Sequence, residues 1–151
     1  MREKLNNNKI LIVGGAGFVG SNLTKYLLTE NNPSKIYIID NLISSEASNI
    51  PDNNKVIFIC GSIADDFILN KIPKDIEYIF HLSCYHGNQS SIFDPIADHD
   101  NNTITTLKLF NHLKDFKYLK RVIYAAAGCA VAEKTFTNAV ATKEDASLSL
   151  Y

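Results

Sequence analysis

Three glycines spaced Gly-x-x-Gly-x-x-Gly, at Gly14, Gly17 and Gly20, interrupt the stretch KILIVGGAGFVGSNLTKYLL that begins at Lys9. The five residues ahead of them, Lys9–Val13, are mostly apolar and β-branched, and an apolar-periodic segment follows. Glycines in that setting have a chemical use. Gly14 permits a sharp turn, Gly17 lets backbone approach a phosphate oxygen with no Cβ in the way, and Gly20 lets the following helix pack close to the strand. The exposed amides and the positive end of the helix dipole then face a pyrophosphate. Glycines also serve ordinary chain reversals, so the spacing alone decides little. Asp40 adds weight, because it ends the next apolar run twenty residues after Gly20, as a dinucleotide fingerprint requires. A carboxylate there accepts hydrogen bonds from adenosine ribose hydroxyls and repels a 2′-phosphate, and residues 41–46 supply no Arg or Lys to neutralise one. NAD is therefore expected over NADP. The plain alternative for Asp40 is a turn residue closing a strand. A P-loop is excluded, since no Gly-Lys-Ser/Thr closes the glycines.

Such a bend works only if strands and helices position it. Strand-like runs rich in Ile, Val, Tyr and Phe occur at 9–13, 35–40, 55–60, 77–82 and 121–125, each short and with the look of burial on both faces. Helical patterns lie between them at 18–29, at about 65–70 and from about 95 to 114. In the first, Val19, Leu23, Leu27 and Leu28 fall on one stripe. The last opens with Asp94 before Pro95, a capping carboxylate followed by a first-turn proline, and offers Ile104, Leu107, Leu109, Phe110 and Leu113 as an apolar face. Strands separated by helices need crossover connections, so the expected fold class is α/β, a Rossmann-type doubly wound parallel sheet with helices on both faces. The periodicity fades after Ala132. Residues 1–132 therefore read as one dinucleotide-binding domain and residues 133–151 as an irregular tail.

The composition limits what else the chain does. With 46% hydrophobic residues in 151, it has the material for one globular core. Fifteen basic residues nearly balance sixteen acidic ones, so no positive field favours nucleic acid or an anionic membrane. Apolar runs stop well short of the roughly 20 residues a bilayer span needs, and the asparagines at positions 6–8 stand where a signal peptide would be apolar. Cys60, Cys84 and Cys129 are scattered and odd in number, which fits reduced thiols in the cytoplasm. His81, Cys84 and His86 would make a metal cluster only if a strand end folded sharply, and no metal is expected.

Several stretches together resemble one family, the extended short-chain dehydrogenase/reductases, and in particular its NAD-dependent nucleotide-sugar epimerases and dehydratases. GGAGFVGSNL at 14–23 is similar to the family's cofactor loop, IIDNLIS at 38–44 to its acidic second strand end, and IFHLSC at 79–84 to its fourth strand. SSIFDP at 90–95, the helix carrying Asn102, and KRVIYAAAGCAVA at 120–132 match in the same order. The resemblance implies that Phe18 and Val19 present amides to the pyrophosphate and that Asp40 and Asn41 hold the adenosine ribose. Ser62 and Ile63 would flank the adenine, with Ser62 standing where the family usually has Asp. Leu82, Ser83 and Cys84 would line the nicotinamide-side ribose. Asn102 would support the active-site geometry, or else be a buried polar group satisfied by a helix carbonyl.

The resemblance also implies a Tyr-x-x-x-Lys pair, in which the lysine lowers the tyrosine pKa so that the phenolate takes a sugar hydroxyl proton. No such spacing occurs in the 151 residues, and Tyr118-Leu-Lys120 has the wrong one. Where the family places a substrate-bonding Ser or Thr, this chain has Ala127, with Cys129 nearby either as a substitute thiol or as a small buried residue. The expectation is the NAD-binding portion of a nucleotide-sugar enzyme, truncated before its catalytic pair and inactive alone. Its full-length form would act on a nucleotide sugar and form a homodimer. The alternative is a non-catalytic dinucleotide-binding sensor or scaffold.

Overall fold

The structure, a computed structural model, describes residues 5–85 and 88–126. Its strands are β1 (Lys9–Val13), β2 (Lys35–Asp40), β3 (Val56–Cys60), β4 (Tyr78–His81) and β5 (Arg121–Tyr124). Its helices are α1 (Phe18–Glu30), α2 (Asp66–Leu69), α3 (Asn88–Phe93), α4 (Pro95–Asp98) and α5 (Thr105–His112), with a π-helical turn at His99–Ile104 joining the last two. All strand pairs are parallel, in the order β3-β2-β1-β4-β5. The chain leaves β1 toward β2 and β3, then crosses back to place β4 on the other side of β1. That reversal opens a crevice at the carboxyl ends of β1 and β4, where doubly wound sheets bind their ligands.

Alternation along the strands builds two cores. Leu11, Val13, Ile39, Ile59 and Ile79 point to one face, against Ile68 of α2 and Leu109 of α5, with Leu113 and Phe116 just beyond. Ile10, Ile12, Ile36, Ile38 and Tyr78 point to the other, against Leu27 of α1. Each fully buried Ile or Leu stabilises by about 1.5–3 kcal/mol, so β1, covered on both sides, is the most heavily anchored element. The expected doubly wound α/β class is what the chain adopts.

Local details depart from the sequence expectation. Burial on both faces holds for β1, β2 and β4 but not at the sheet edges: Cys60 of β3 and both Arg121 and Tyr124 of β5 are exposed. An edge strand has one neighbour and less helix above it. Val19 leaves the expected α1 stripe and is 61% exposed, while Gly20, Ser21, Thr24 and Leu27 form the buried side. The first turn of α1 stands over the crevice, so its second residue faces open space, and small side chains mark the line of closest approach to the sheet. The α5 face splits in two: Leu109 and Leu113 are buried, whereas Ile104, Leu107 and Phe110 are exposed. The helical run expected over 95–114 is present but passes through the π-helical turn, and α3 forms where no helix was expected. The expected tail at 133–151, together with His86, Ala127, Cys129 and Tyr151, lies outside the described residues.

Candidate cofactor cleft

The glycine bend closes on itself and on β4. Gly14 has φ +80°, and a Cβ on it would lie 2.6 Å from the Ser83 nitrogen, so only glycine lets the end of β1 approach the residues after β4. A Cβ on Gly20 would meet the Gly14 carbonyl oxygen at 2.4 Å, which is how α1 packs directly on the bend. Gly17 differs. A Cβ there would touch only the Gly14 oxygen, at 3.4 Å, and otherwise enter open space beside the bend. Gly17 is also the N-cap of α1, whose first turn carries no side-chain cap and no acidic residue. The amide end of a four-turn-class helix and its dipole therefore face a cradle that a Cβ would fill, the arrangement a pyrophosphate needs.

Asp40 ties this bend to the end of β2. One carboxylate oxygen accepts from the Ala16 N–H at 2.9 Å, and the other accepts from the Leu42 N–H and the Ser45 hydroxyl, each at 2.9 Å. Leu42 takes φ +59° in the turn that results. The Ala16 carbonyl is held from the other side by the Asn49 side chain, which donates to it at 3.0 Å. Ala16 is thus fixed at its N–H by the last residue of β2 and at its carbonyl by a side chain from the segment that follows.

A cleft of about 500 Å³ lies over these groups. Gly14, Gly17, Phe18, Val19 and Gly20 line it from the bend and α1, and Asp40 and Asn41 from the end of β2. Ser62 and Ile63 border it after β3, and Leu82, Ser83 and Cys84 after β4. Every cofactor-binding residue expected from the sequence therefore borders one cavity, apart from Asn102. The Asn102 side chain accepts from the Tyr85 N–H at 2.7 Å and donates to the Tyr85 carbonyl at 3.2 Å and to Asp98 at 2.8 Å. It clamps the backbone of a lining residue instead of bordering the space itself, and its partner is not the helix carbonyl of the plain reading.

The structure adds residues that sequence reasoning missed. Ser44, Ser45, Gly61, Tyr85, Asn101 and Thr105 also line the cleft. The π-helical turn offers Asn101 to the cleft and Asn102 to Tyr85, Thr105 follows as the first residue of α5, and π-helical turns often mark functional places. Only the run of small polar residues around Asn102 hinted at this. His81 is 2% exposed, and its Nε2 sits 3.2 Å from the Thr106 hydroxyl, which itself donates to the Asn102 carbonyl at 2.6 Å. Burial pushes its pKa below the ordinary value, with its own backbone carbonyl working the other way. A buried neutral imidazole in that bonding pattern fastens β4 to the start of α5, just past the π-helical turn. Among the described residues no three His, Cys, Asp or Glu side chains come together to hold a metal, and no helix is long and apolar enough to cross a membrane.

Known proteins resemble this chain in sequence and fold. The family model of the NAD dependent epimerase/dehydratase family matches residues 10–151. A putative UDP-glucose 4-epimerase of Methanocaldococcus jannaschii is 33% identical over 123 residues, covering 81% of this chain and 39% of that protein. A dTDP-D-glucose 4,6-dehydratase of Dictyostelium discoideum is 35% identical over 133 residues, covering 83% of this chain and 30% of that protein. The crystal structure of the Bordetella bronchiseptica enzyme WbmF in complex with NAD+ aligns with a TM-score of 0.79 and 51% identity over 89% of this chain and 41% of its own. The chain thus spans less than half the length of each. The family match over residues 10–151, the two relatives above 30% identity and the shared fold together show that the chain belongs to the NAD dependent epimerase/dehydratase family.

Proposed function

We propose that this chain seats NAD in the cleft and supplies the dinucleotide-binding part of an enzyme acting on nucleotide sugars. The observation that carries this reading is the opening at Gly17, with the bare amino end of α1 on one side and the Asp40–Ala16 tie on the other. The Phe18 and Val19 amides hold the pyrophosphate, Asp40 and Asn41 the adenosine ribose, and Ser62 and Ile63 the adenine. Leu82, Ser83 and Cys84 run along the nicotinamide ribose. Asn102 acts at one remove, by holding Tyr85 in place. Bound NAD would accept a hydride from a sugar carbon and return it, and the residues named here bind and orient it.

A nucleotide-sugar substrate is supported by the relatives, which are named as UDP-glucose and dTDP-glucose enzymes, and by WbmF, which was crystallised with NAD+ and UDP. The same relatives favour an enzyme part over a sensor or scaffold. Residues 1–132 form the NAD-binding unit in this reading, with 133–151 as the segment of sequence that follows it. With no Tyr-x-x-x-Lys in its 151 residues, the chain alone gives no turnover. The exposed Ile104, Leu107 and Phe110 support pairing with a second copy. The near-neutral charge supports no nucleic-acid partner, and the exposed free thiols of Cys60 and Cys84 support a reducing cytoplasmic setting.

Calorimetric titration tests the reading. NAD should bind with a measurable Kd and more tightly than NADP. No binding of either, or tighter NADP binding, overturns it. Turnover of UDP-glucose by the 151-residue chain overturns the inactivity.

A further inference from the structure

We infer that Lys108 is a positioning residue for the adenine end of the cleft, acting across the fold through Ala64 and Ser62; the inference rests on the NAD reading above. Lys108 lies on α5, one turn after Thr105, which borders the cleft. Its ammonium donates to the Ala64 carbonyl at 2.6 Å and lies 3.3 Å from the Asp66 carboxylate, reaching a segment 44 residues earlier in the chain. The Asp66 side chain is 80% exposed, so that ion pair contributes little. The shorter, charge-assisted bond is the one to the carbonyl.

That carbonyl matters because of what the rest of Ala64 holds. The Ala64 N–H donates to the Ser62 hydroxyl oxygen at 3.1 Å, and the Ser62 carbonyl accepts from Asp65 at 3.0 Å. Ser62 is the polar side chain that this segment turns to the cleft, and Gly61 before it is bonded to the Asp40 carbonyl at 2.9 Å. A hydroxyl has one donor and two acceptor positions. With one acceptor position taken by Ala64, Ser62 keeps one donor and one acceptor, which matches the ring nitrogen and amino group side by side on adenine. Where Ala64 sits decides where that pair points, and Lys108 decides where Ala64 sits. A carboxylate at this position would be drawn to an adenine amino group by charge. A neutral hydroxyl depends on direction, so its support counts for more.

A double-mutant cycle on the full chain tests this, with the Kd for NAD as readout and thermal melting as a control for folding. Lys108→Met should weaken NAD binding by about threefold to tenfold, the scale of one oriented hydrogen bond, and Lys108→Arg should restore most of it. In a Ser62→Ala background, Lys108→Met should change the Kd by less than about twofold, since the group it positions is gone. An equal loss in both backgrounds, no loss in either, or no effect of Ser62→Ala itself overturns the inference while leaving the proposed function standing. Failure of the unsubstituted chain to bind NAD overturns both.

Discussion

Asp40 accepts a hydrogen bond from the backbone N–H of Ala16 at 2.9 Å, so the acidic end of β2 and the glycine bend are one rigid unit. Its second carboxylate oxygen is taken by Leu42 and Ser45. The residue expected to read the ribose is therefore also the residue that holds the glycine bend in shape.

Asp40→Ala removes both roles at once. The expected outcome is at least a roughly tenfold loss of NAD affinity, since bonds to a charged group are worth about 1.5–3 kcal/mol, and a narrower gap between NAD and NADP. Asn49→Ala, which frees only the Ala16 carbonyl, should weaken both dinucleotides by a similar and smaller factor. Calorimetry with each cofactor separates the two patterns.

Gly17 and Gly20 should fail differently. Gly20→Ala drives a methyl into the Gly14 carbonyl and the Gly15 Cα, both backbone atoms, and should cost about 1–3 kcal/mol of stability in urea melts. Gly17→Ala meets no such contact and should leave the melt nearly unchanged while lowering NAD affinity by more than about tenfold, the cost of displaced charge-assisted bonds. A stability loss at Gly17 equal to that at Gly20 would contradict an open cradle.

Burial holds the His81 pKa below its ordinary value of 6.5. Burial does the same to His112, helped by Lys74 and opposed by Asp66 and the Leu69 backbone. The unfolded chain then takes up protons that the folded chain refuses once pH falls below about 6.5. Stability should be fullest above that value and decline through the lower folded values as pH drops. Urea midpoints from pH 8 to 5.5 would show the fall, and His81→Gln should flatten it. A midpoint that rises on acidification over this range would refute the assignment.

Cys84 borders the cleft and Cys60, at the end of β3, does not, although both thiols are exposed. Saturating NAD should slow iodoacetamide modification of Cys84 several-fold and leave Cys60 unaffected, read by peptide mass spectrometry. Equal protection of both would point to a general tightening of the fold, and protection of neither would place the dinucleotide elsewhere.

Asn102→Asp keeps the acceptor for the Tyr85 N–H but loses both donated bonds and sets a carboxylate against Asp98. A loss of about 1–3 kcal/mol in stability is expected, with the Ser91-bonded Asp98 pushed out of place by the like charge. Full stability in the variant would show that the clamp on Tyr85 is dispensable.

The chain's own order of residues determined β1, the glycine bend, α1 and Asp40, because each is specified by neighbours within a few positions: a run of β-branched residues, three spaced glycines, a carboxylate at a strand end. The parallel sheet followed from strands that alternate with helices. Tertiary structure decided the rest. Whether Val19 or Thr24 faces the sheet depends on the angle at which α1 leaves the bend, and whether Leu109 or Leu107 is buried depends on how α5 lies across β4 and β5. Asn102 on Tyr85, His81 on Thr106 and Lys108 on Ala64 join residues 17, 25 and 44 positions apart. No local period encodes such bonds, since they exist only once the sheet has brought distant carbonyls and hydroxyls within 3 Å or so of the side chains that hold them.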